Sequence, residues 1–280
     1  MREVHVSRII ETVKKLCIDA NYYLPKDVKT RLVEAKEEEK FSVARSIIDI
    51  LIENADIAGE ENRPMCQDTG MAVVFIEIGQ DVHVVGGGLE DAINEGVRQG
   101  YRDGILRKSV VGDPLERINT KDNTPAIIHY QIVKGDTLKI TVAPKGFGSE
   151  NMSQLKMLKP ADGLKGVKDF VLKVVKEAGP NPCPPIIVGV GIGGSFDKSA
   201  FLAKKALMRS TDLRNKNTYY AKLEEELLKE INDLGVGPQG FGGKTTALAV
   251  NIETYATHIA GLPVAVNINC HATRHIEAYL

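Results

Sequence analysis

Apolar residues recur at helical spacing through much of the first sixty residues. The first run contains Ile9, Ile10, Val13, Leu16 and Cys17, and the second contains Val43, Ile47, Ile48, Ile50 and Leu51. Intervals of three and four residues are typical of amphipathic helices. The pattern predicts a helical N-terminal portion over about residues 1–62, in which Cys17 has only a packing role.

After residue 70 the pattern changes to β-branched and aliphatic runs, which predict strands within 71–85. Further strands are predicted at 126–133, 137–142, 186–190, 246–255 and 263–269. The first two are expected to form a hairpin around Lys134-Gly135-Asp136. Helices are predicted at about 90–104, 164–177, 197–208 and 220–234.

These elements predict a mixed α/β fold: a helical N-terminal region, and a mixed, partly antiparallel β-sheet core with surrounding helices. No linker, internal repeat or charge block interrupts the chain. We therefore expect one domain over residues 1–280, with the α/β core at about 63–280.

Composition excludes some classes of function. The 280 residues include 36 basic and 37 acidic side chains, a net charge of -1, which gives no electrostatic footprint for nucleic acid. No segment approaches the ~20 apolar residues of a membrane span, and the first residues lack the apolar core of a signal peptide. We expect a cytoplasmic protein, with no membrane or nucleic-acid partner, whose four cysteines stay reduced.

Three of the four cysteines lie in polar or turn-forming segments, roughly a hundred residues apart, at Cys66, Cys183 and Cys270. Structural zinc sites and redox dithiols use closely spaced pairs, so neither fits. Three thiolates from distant loops can hold an iron–sulfur cluster in which one iron lacks a protein ligand and acts as a Lewis acid. Three unrelated thiols are the alternative that the spacing leaves open.

Two glycine-rich segments resemble nucleotide-binding motifs. Residues 189–194 match G-x-G-x-x-G between a strand and a helix, but Asp212, at the expected distance, lies in a polar loop, and no β-α-β unit is expected. A tight turn or an anion site at the helix start is favoured there. Residues 237–246 depart from the phosphate-loop pattern, because Pro238 replaces its first glycine and the loop precedes a strand.

Other polar segments carry candidate chemistry. The loop at 145–151 follows a strand and is either an anion cradle or a plain turn. His258 lies twelve residues before Cys270, and a strand pair joined between them would bring both to one end of a sheet. His271 and His275 flank Cys270 and can contact metal or substrate, although each histidine can equally be structural.

Taken together, the motifs resemble the class I, iron–sulfur fumarate hydratases and the related L-tartrate dehydratases. The matching segments, in order, are Cys66-Gln67-Asp68-Thr69-Gly70, Leu106-Arg107, Lys145-Gly146-Phe147-Gly148-Ser149, Pro182-Cys183-Pro184-Pro185, Gly193-Gly194-Ser195, Gly240-Phe241-Gly242-Gly243-Lys244 and Cys270. The resemblance covers nearly all of the chain and the N-terminal half of single-chain members. Phe147 and Glu150 depart from the plainer glycine loop of those members, which leaves the substrate shape open.

The resemblance implies a site and a partner. Cys66, Cys183 and Cys270 would bind three irons of a 4Fe-4S cluster. The residues expected to line a small dicarboxylate site are Gln67, Asp68, Arg107, Gly146 and His258. The chain would be an α subunit whose active site is completed by a separate β subunit, in an α2β2 or similar oligomer.

The expected activity is the reversible hydration of fumarate to L-malate, a reaction of the tricarboxylic acid cycle, with L-tartrate dehydration as the alternative. A NAD-dependent oxidoreductase and a metal-carrying scaffold are more remote hypotheses. Asp68 is the candidate for proton transfer, together with a residue of the partner chain. A merely orienting role for Asp68 remains open.

Overall fold

The computed structural model describes residues 1–280, which divide into two compact units. The first unit comprises Met1–Pro25, Ala55–Phe147 and Arg274–Leu280, and the second comprises Lys26–Asn54 and Gly148–Thr273. Each unit is built on its own four-stranded sheet. That the units together act as a single hydro-lyase domain stays a prediction.

The mixed α/β class is confirmed. The helices are α1 (Val6–Tyr22), α2 (Lys26–Glu38), α3 (Ser42–Glu60), α4 (Leu89–Asp103), α5 (Phe147–Glu150), α6 (Gly163–Ala178), α7 (Phe196–Ala206) and α8 (Thr218–Asn232). The strands are β1 (Arg2–His5), β2 (Met71–Gly79), β3 (Val82–Val85), β4 (Ile127–Val133), β5 (Leu138–Lys145), β6 (Gln154–Leu158), β7 (Ile186–Gly193), β8 (Ala247–Tyr255), β9 (Leu262–Asn269) and β10 (Ile276–Tyr279). No helix combines the length and the apolar character needed to cross a membrane.

In the first unit, α1 and α4 pack closely against each other. A Cβ added to Gly96 of α4 would lie 2.7 Å from Cβ of Val13, and one added to Gly100 would lie 2.8 Å from Cβ of Cys17. The two glycines therefore allow the helix axes to approach. Cys17 is fully buried in this contact, which confirms its packing role.

The sheet of the first unit has the strand order β10-β5-β2-β4. Strand β2 runs parallel to β4 and antiparallel to β5, so it lies between them. The predicted hairpin of β4 and β5 is therefore wrong. Residues Ala72 to Ile76 of β2 are all buried, as expected of a central strand. This apolar strand is inserted between β4 and β5, so the two strands cannot pair with each other directly.

The second amphipathic run forms α3, but its predicted apolar face is only partly right. Ala44 and Ile48 are fully buried, whereas Val43 and Ile50 are 46% and 61% exposed. The helix was predictable from spacing, while the face that it buries depends on contacts that spacing does not encode.

In the second unit the strand order is β6-β9-β7-β8, and β7 is buried along its whole length. Val188, Val190 and Ile192 belong to an apolar cluster that includes residues of α6 and α8. Successive side chains alternate between the faces of a strand, so Gly189 and Gly191 face the other way, towards α7. Helices thus cover both faces of this sheet.

The G-x-G-x-x-G glycines serve this packing. A Cβ on Gly189 would lie 2.2 Å from the carbonyl oxygen of Ala203, and one on Gly191 would lie 2.1 Å from that of Ser199. Contrary to expectation, β7 and β8 are parallel neighbours joined through α7 and α8. The β-α-β crossover therefore exists, but the close contact of α7 with β7 accounts for the first two glycines of the G-x-G-x-x-G motif.

The segment that resembles a phosphate loop is also accounted for by local contacts. Nζ of Lys244 lies 2.9 Å from the Glu38 carboxylate, and its backbone N–H donates to the Glu39 carboxylate at 2.8 Å. The ammonium group and the backbone N–H of Lys244, which a phosphate would need as donors, are thus already bound to carboxylates.

Candidate active site

The predicted cluster cysteine of the first unit lies in a short loop between α3 and β2, here called the Asp68 loop (residues 66–70). The backbone N–H of Met65 donates to the carbonyl of Asn21 at 3.0 Å and anchors its start. Cys66 is partly exposed and Gln67 is exposed, with Sγ of Cys66 3.4 Å from Oε1 of Gln67. Both side chains are accessible to a ligand.

The carboxylate of Asp68 is held by two backbone amides. Its Oδ1 accepts from Gly70 N–H at 3.0 Å, and its Oδ2 accepts from Phe147 N–H at 2.9 Å. A Cβ on Gly146 would lie 3.3 Å from Oδ2. The structure thus brings together Asp68 and Gly146, two of the predicted substrate residues, and fixes the orientation of the carboxylate.

The backbone carbonyls of the Asp68 loop are held from behind by three buried side chains. Nη2 of Arg274 donates to the carbonyl of Asp68. The hydroxyl of Tyr101 donates to the carbonyl of Thr69 at 2.7 Å, and Nδ2 of Asn123 donates to that of Gly70 at 3.1 Å. Burial raises the pKa of Tyr101, so its hydroxyl stays protonated and can donate this hydrogen bond.

Arg107 is tied to the same loop through its backbone. Its carbonyl accepts a hydrogen bond from Oγ1 of Thr69 at 3.0 Å. The guanidinium is exposed and makes no hydrogen bond or ion pair, which leaves its fork of donors available to a carboxylate.

In the second unit, the loops of Cys183 and Cys270 meet at one edge of the sheet. Cys183 is exposed and has φ of 54°, a left-handed conformation that is uncommon for a residue other than glycine. The backbone N–H of His271, the residue after Cys270, donates to the carbonyl of Cys183 at 3.3 Å. Cys270 itself is partly exposed at the end of β9.

Two polar side chains brace this pair of loops. Nδ1 of His271 lies 3.0 Å from the carbonyl oxygen of Cys183, and Nε2 of Gln239 lies 3.2 Å from the same Nδ1. Nε2 of Gln239 also donates to the carbonyl of Pro184 at 2.8 Å. His271 therefore positions the backbone of Cys183, a role that the sequence left open.

His258 lies elsewhere in the second unit. It is exposed in the connection between β8 and β9, where its Nδ1 accepts from the N–H of Ala260 at 3.2 Å. Strand β9 spans Leu262–Asn269, so His258 and Cys270 lie at opposite ends of a strand of about 26 Å. The expectation that they share one end of the sheet is wrong, and the substrate role of His258 stays a prediction.

The donor set is chemically suited to an iron–sulfur cluster. None of the four cysteines forms a disulfide; Cys66, Cys183 and Cys270 are accessible, and only Cys17 is buried. Nevertheless, no three His, Cys, Asp or Glu side chains form a group that could hold a metal ion. Cys66 belongs to the first unit and the other two cysteines to the second, so the three-thiolate site stays a prediction.

Sequence reasoning missed several residues that build the site. Tyr101, Asn123 and Arg274 lie 32, 53 and 206 positions from the loop residues that they hold. The available signals were weak: a tyrosine on the apolar face of α4, an asparagine in a turn-rich segment and an arginine shortly after Cys270. Only the fold assembles them.

Comparison with known proteins identifies the family. The family model "Fumarate hydratase (Fumerase)" matches residues 10–279. The chain is 44% identical over 278 residues to the "Putative L(+)-tartrate dehydratase subunit alpha" of Methanocaldococcus jannaschii, a match that covers 95% of each chain. It is 32% identical over 273 residues to the "L(+)-tartrate dehydratase subunit alpha" of Escherichia coli strain K12, covering 96% of this chain and 89% of the relative.

The match extends over nearly the whole chain, in agreement with the order of the sequence motifs. It includes the Asp68 loop, the Arg107 segment and the loops of Cys183 and Cys270. The chain therefore belongs to the fumarate hydratase (Fumerase) family, whose class I members and tartrate dehydratase α subunits its motifs resemble.

Proposed function

We propose that this chain is the α subunit of an L(+)-tartrate dehydratase, an iron–sulfur hydro-lyase completed by a β subunit. The observation that carries the proposal is the 44% identity, over 95% of both chains, to a relative named as such an α subunit. Fumarate hydration, the activity first expected from the motifs, is the second candidate, because the matching family model bears that name.

Cys66, Cys183 and Cys270 would hold the 4Fe-4S cluster. When bound, such a cluster supplies an iron without a cysteine ligand, which acts as a Lewis acid on the hydroxyl group that leaves. All three thiols are accessible and none is committed to a disulfide. We also propose a cytoplasmic location, where thiols stay reduced.

The substrate has two carboxylates that need cationic or amide donors. The exposed guanidinium of Arg107 can bind one of them through two parallel hydrogen bonds. The amide of Gln67 is exposed beside Cys66 and can donate to a hydroxyl or a carboxylate. The N–H of Phe147 is already bonded to Asp68, so it does not serve the substrate.

Asp68 is the residue of this chain that we propose for proton transfer. Dehydration removes a proton from the carbon beside a carboxylate, and a carboxylate base must be aimed at that carbon. The amides of Gly70 and Phe147 fix each oxygen of Asp68, which limits rotation of the side chain. A partner-chain residue would handle the second proton, and the alternative role of Asp68 is to orient the substrate.

The test is to produce the chain with its companion β chain without oxygen and assay L(+)-tartrate and fumarate. We expect water elimination from L(+)-tartrate to exceed hydration of fumarate, with the iron content of a four-iron cluster. The Asp68→Asn variant should lose about a hundredfold or more in kcat. Asp136→Asn, in an exposed turn, is the matched control and should retain activity.

Absence of turnover with both diacids, in a complex that retains its iron, would contradict the proposal. Faster turnover of fumarate than of tartrate would favour the second candidate. Unchanged kcat in Asp68→Asn would remove proton transfer from Asp68 and leave the assignment of the chain intact.

A further inference from the structure

Arg274 is a buried arginine of the first unit. Only 4% of its surface is exposed, and it lies two residues before Ile276, where β10, the last strand of the chain, begins. Its Nη2 donates to the backbone carbonyl of Asp68. Nε and Nη1 are buried and have no hydrogen-bond partner, and no carboxylate of the chain forms an ion pair with the group.

This arrangement is costly if its only purpose is to hold a carbonyl. A buried charge needs a counter-charge, and each buried donor without a partner loses its hydration. Apolar replacements of buried ionic groups are often neutral or stabilising, so packing alone does not require an arginine here. The positive charge is the feature of Arg274 that needs an explanation.

The charged and titratable groups around Arg274 do not neutralise it. Tyr101 interacts with it electrostatically, but burial raises the pKa of Tyr101 and keeps that hydroxyl neutral. The carboxylate of Asp68 points to the amides of Gly70 and Phe147, while Arg274 bonds to the backbone of the same residue. The guanidinium therefore lies behind the Asp68 loop as an unpaired positive charge.

We propose that Arg274 is a positioning residue that fixes the Asp68 loop from behind and favours a dianionic dicarboxylate in front of it. Charges interact more strongly in a poorly hydrated interior than in water, so the charge can act on an anion that it does not touch. The inference rests on the proposed function, because it takes the ligand to be the diacid. It assigns to the first unit a second cation besides Arg107, one fixed by burial.

Kinetics on the assembled, iron-loaded complex provide the first test. Arg274→Gln removes the charge but keeps a donor for the Asp68 carbonyl, and Arg274→Lys keeps the charge. We expect KM for the diacid that the wild type converts to rise about tenfold in Arg274→Gln, with kcat within about threefold. Arg274→Lys should stay within about threefold of the wild-type KM.

Arg8→Gln is the matched control, since Arg8 is exposed on α1 and has no ion pair. A KM for Arg274→Gln within about twofold of the wild type would overturn the proposal. So would equal impairment of Arg274→Gln and Arg274→Lys, because shape and not charge would then matter. If Arg274→Gln fails to fold, as judged by circular dichroism, Arg274→Lys decides alone: a KM within about threefold of the wild type supports the proposal, and a larger rise overturns it.

Hydrogen exchange of the full chain without iron provides a readout that does not need activity. Peptides covering residues 66–71 should exchange faster in Arg274→Met, which removes both the donor and the charge, than in the wild type, and at the wild-type rate in Arg274→Gln, Arg274→Lys and Arg8→Gln. No change in Arg274→Met would refute the positioning role. If the wild-type complex converts neither diacid, the proposed function fails, and the exchange result still decides whether Arg274 holds the loop.

Discussion

At the scale of single residues, Gly70 shows most directly how backbone conformation builds the site. Its φ is +74°, and a Cβ at this position would lie 2.7 Å from backbone atoms of Lys145. We expect Gly70→Ala to lower the free energy of unfolding by about 3 kcal/mol, because the substitution adds a steric clash to left-handed strain. Urea denaturation of the purified chain measures this loss.

Gly135 provides the control for Gly70. Its φ is +95°, but nothing lies within 4 Å of an added Cβ. Gly135→Ala should therefore cost only the conformational strain, about 1 kcal/mol. Equal losses in the two variants would show that the approach of Lys145 to Gly70 is not tight.

The four cysteines should differ in reactivity. Burial raises the pKa of Cys17 to about 12, so it carries almost no thiolate at neutral pH. In native, iron-free chain at about pH 8, a thiol reagent should modify Cys66, Cys183 and Cys270 and leave Cys17 intact until urea is added. Mass spectrometry of peptides identifies the modified positions.

Cys17→Ser is the control variant for this experiment. It should show the same number of fast-reacting thiols as the wild type. Modification of Cys17 at the rate of Cys183 in folded protein would contradict the buried position.

At the scale of secondary-structure elements, the sequence predicted the main helices and strands because their apolar periods are local. Strand β7, for example, was expected at 186–190 and extends over Ile186–Gly193. The hairpin failed because pairing is not local: Gly135 lies in a turn, yet β2 separates the two strands that this turn joins. Short edge elements such as β1 and β10 carry too few residues to show a period.

The contact of β7 with α7 gives a prediction at this scale. A Cβ on Gly191 would lie 2.1 Å from the carbonyl oxygen of Ser199, which is backbone and cannot rotate away. Gly191→Ala should lower the free energy of unfolding by about 3 kcal/mol because α7 must move off the sheet. Thermal and urea denaturation both report this change.

Gly261 in the same unit is the matched position for Gly191. Its added Cβ would have nothing closer than 3.8 Å, so Gly261→Ala should stay within about 0.5 kcal/mol of the wild type. A stable Gly191→Ala protein that binds NADH would instead support the nucleotide hypothesis and contradict the packing explanation.

The loop between α4 and β4 should respond to acid. Desolvation opposes ionisation of Asp122, but hydrogen bonds from Thr124 and Arg98 outweigh it and lower the pKa of Asp122 to about 2. A carboxyl whose pKa falls on folding stabilises the fold above its unfolded pKa, and this contribution disappears as pH falls through the folded value. Stability from Asp122 should therefore be lost between about pH 4 and pH 2.

Asp122→Asn tests this acid dependence. The variant should be less stable than the wild type at neutral pH and should lose less stability between about pH 4 and pH 2. Parallel stability curves for the two proteins over that interval would rule out the contribution of Asp122.

At the scale of the whole molecule, the contacts that assemble the candidate site could be predicted only in part from the sequence. Asp68 and Gly146, which were expected together, are adjacent because β2 and β5 pair and bring the loop at the start of one strand to the end of the other. Arg274 could not be anticipated, since its partner Asp68 is 206 positions away. His258 was expected near Cys270, but the two residues lie at opposite ends of β9 and are therefore far apart.

The family assignment leads to a prediction about assembly. If a β chain carries part of the site, this chain alone should bind iron yet show no turnover of tartrate or fumarate above the iron-free background. Adding purified β chain without oxygen should restore activity in proportion to complex formed. Robust turnover by the chain alone would show that its site is complete.

The three side chains that brace the Asp68 loop also divide the site into two kinds of positions for protein engineering. Libraries that aim to change the proposed diacid preference can randomise Gln67 and Arg107, whose side chains are exposed. Tyr101, Asn123 and Arg274 should be left constant, because they anchor the successive backbone carbonyls of Thr69, Gly70 and Asp68. Selectivity and foldability can thus be varied separately.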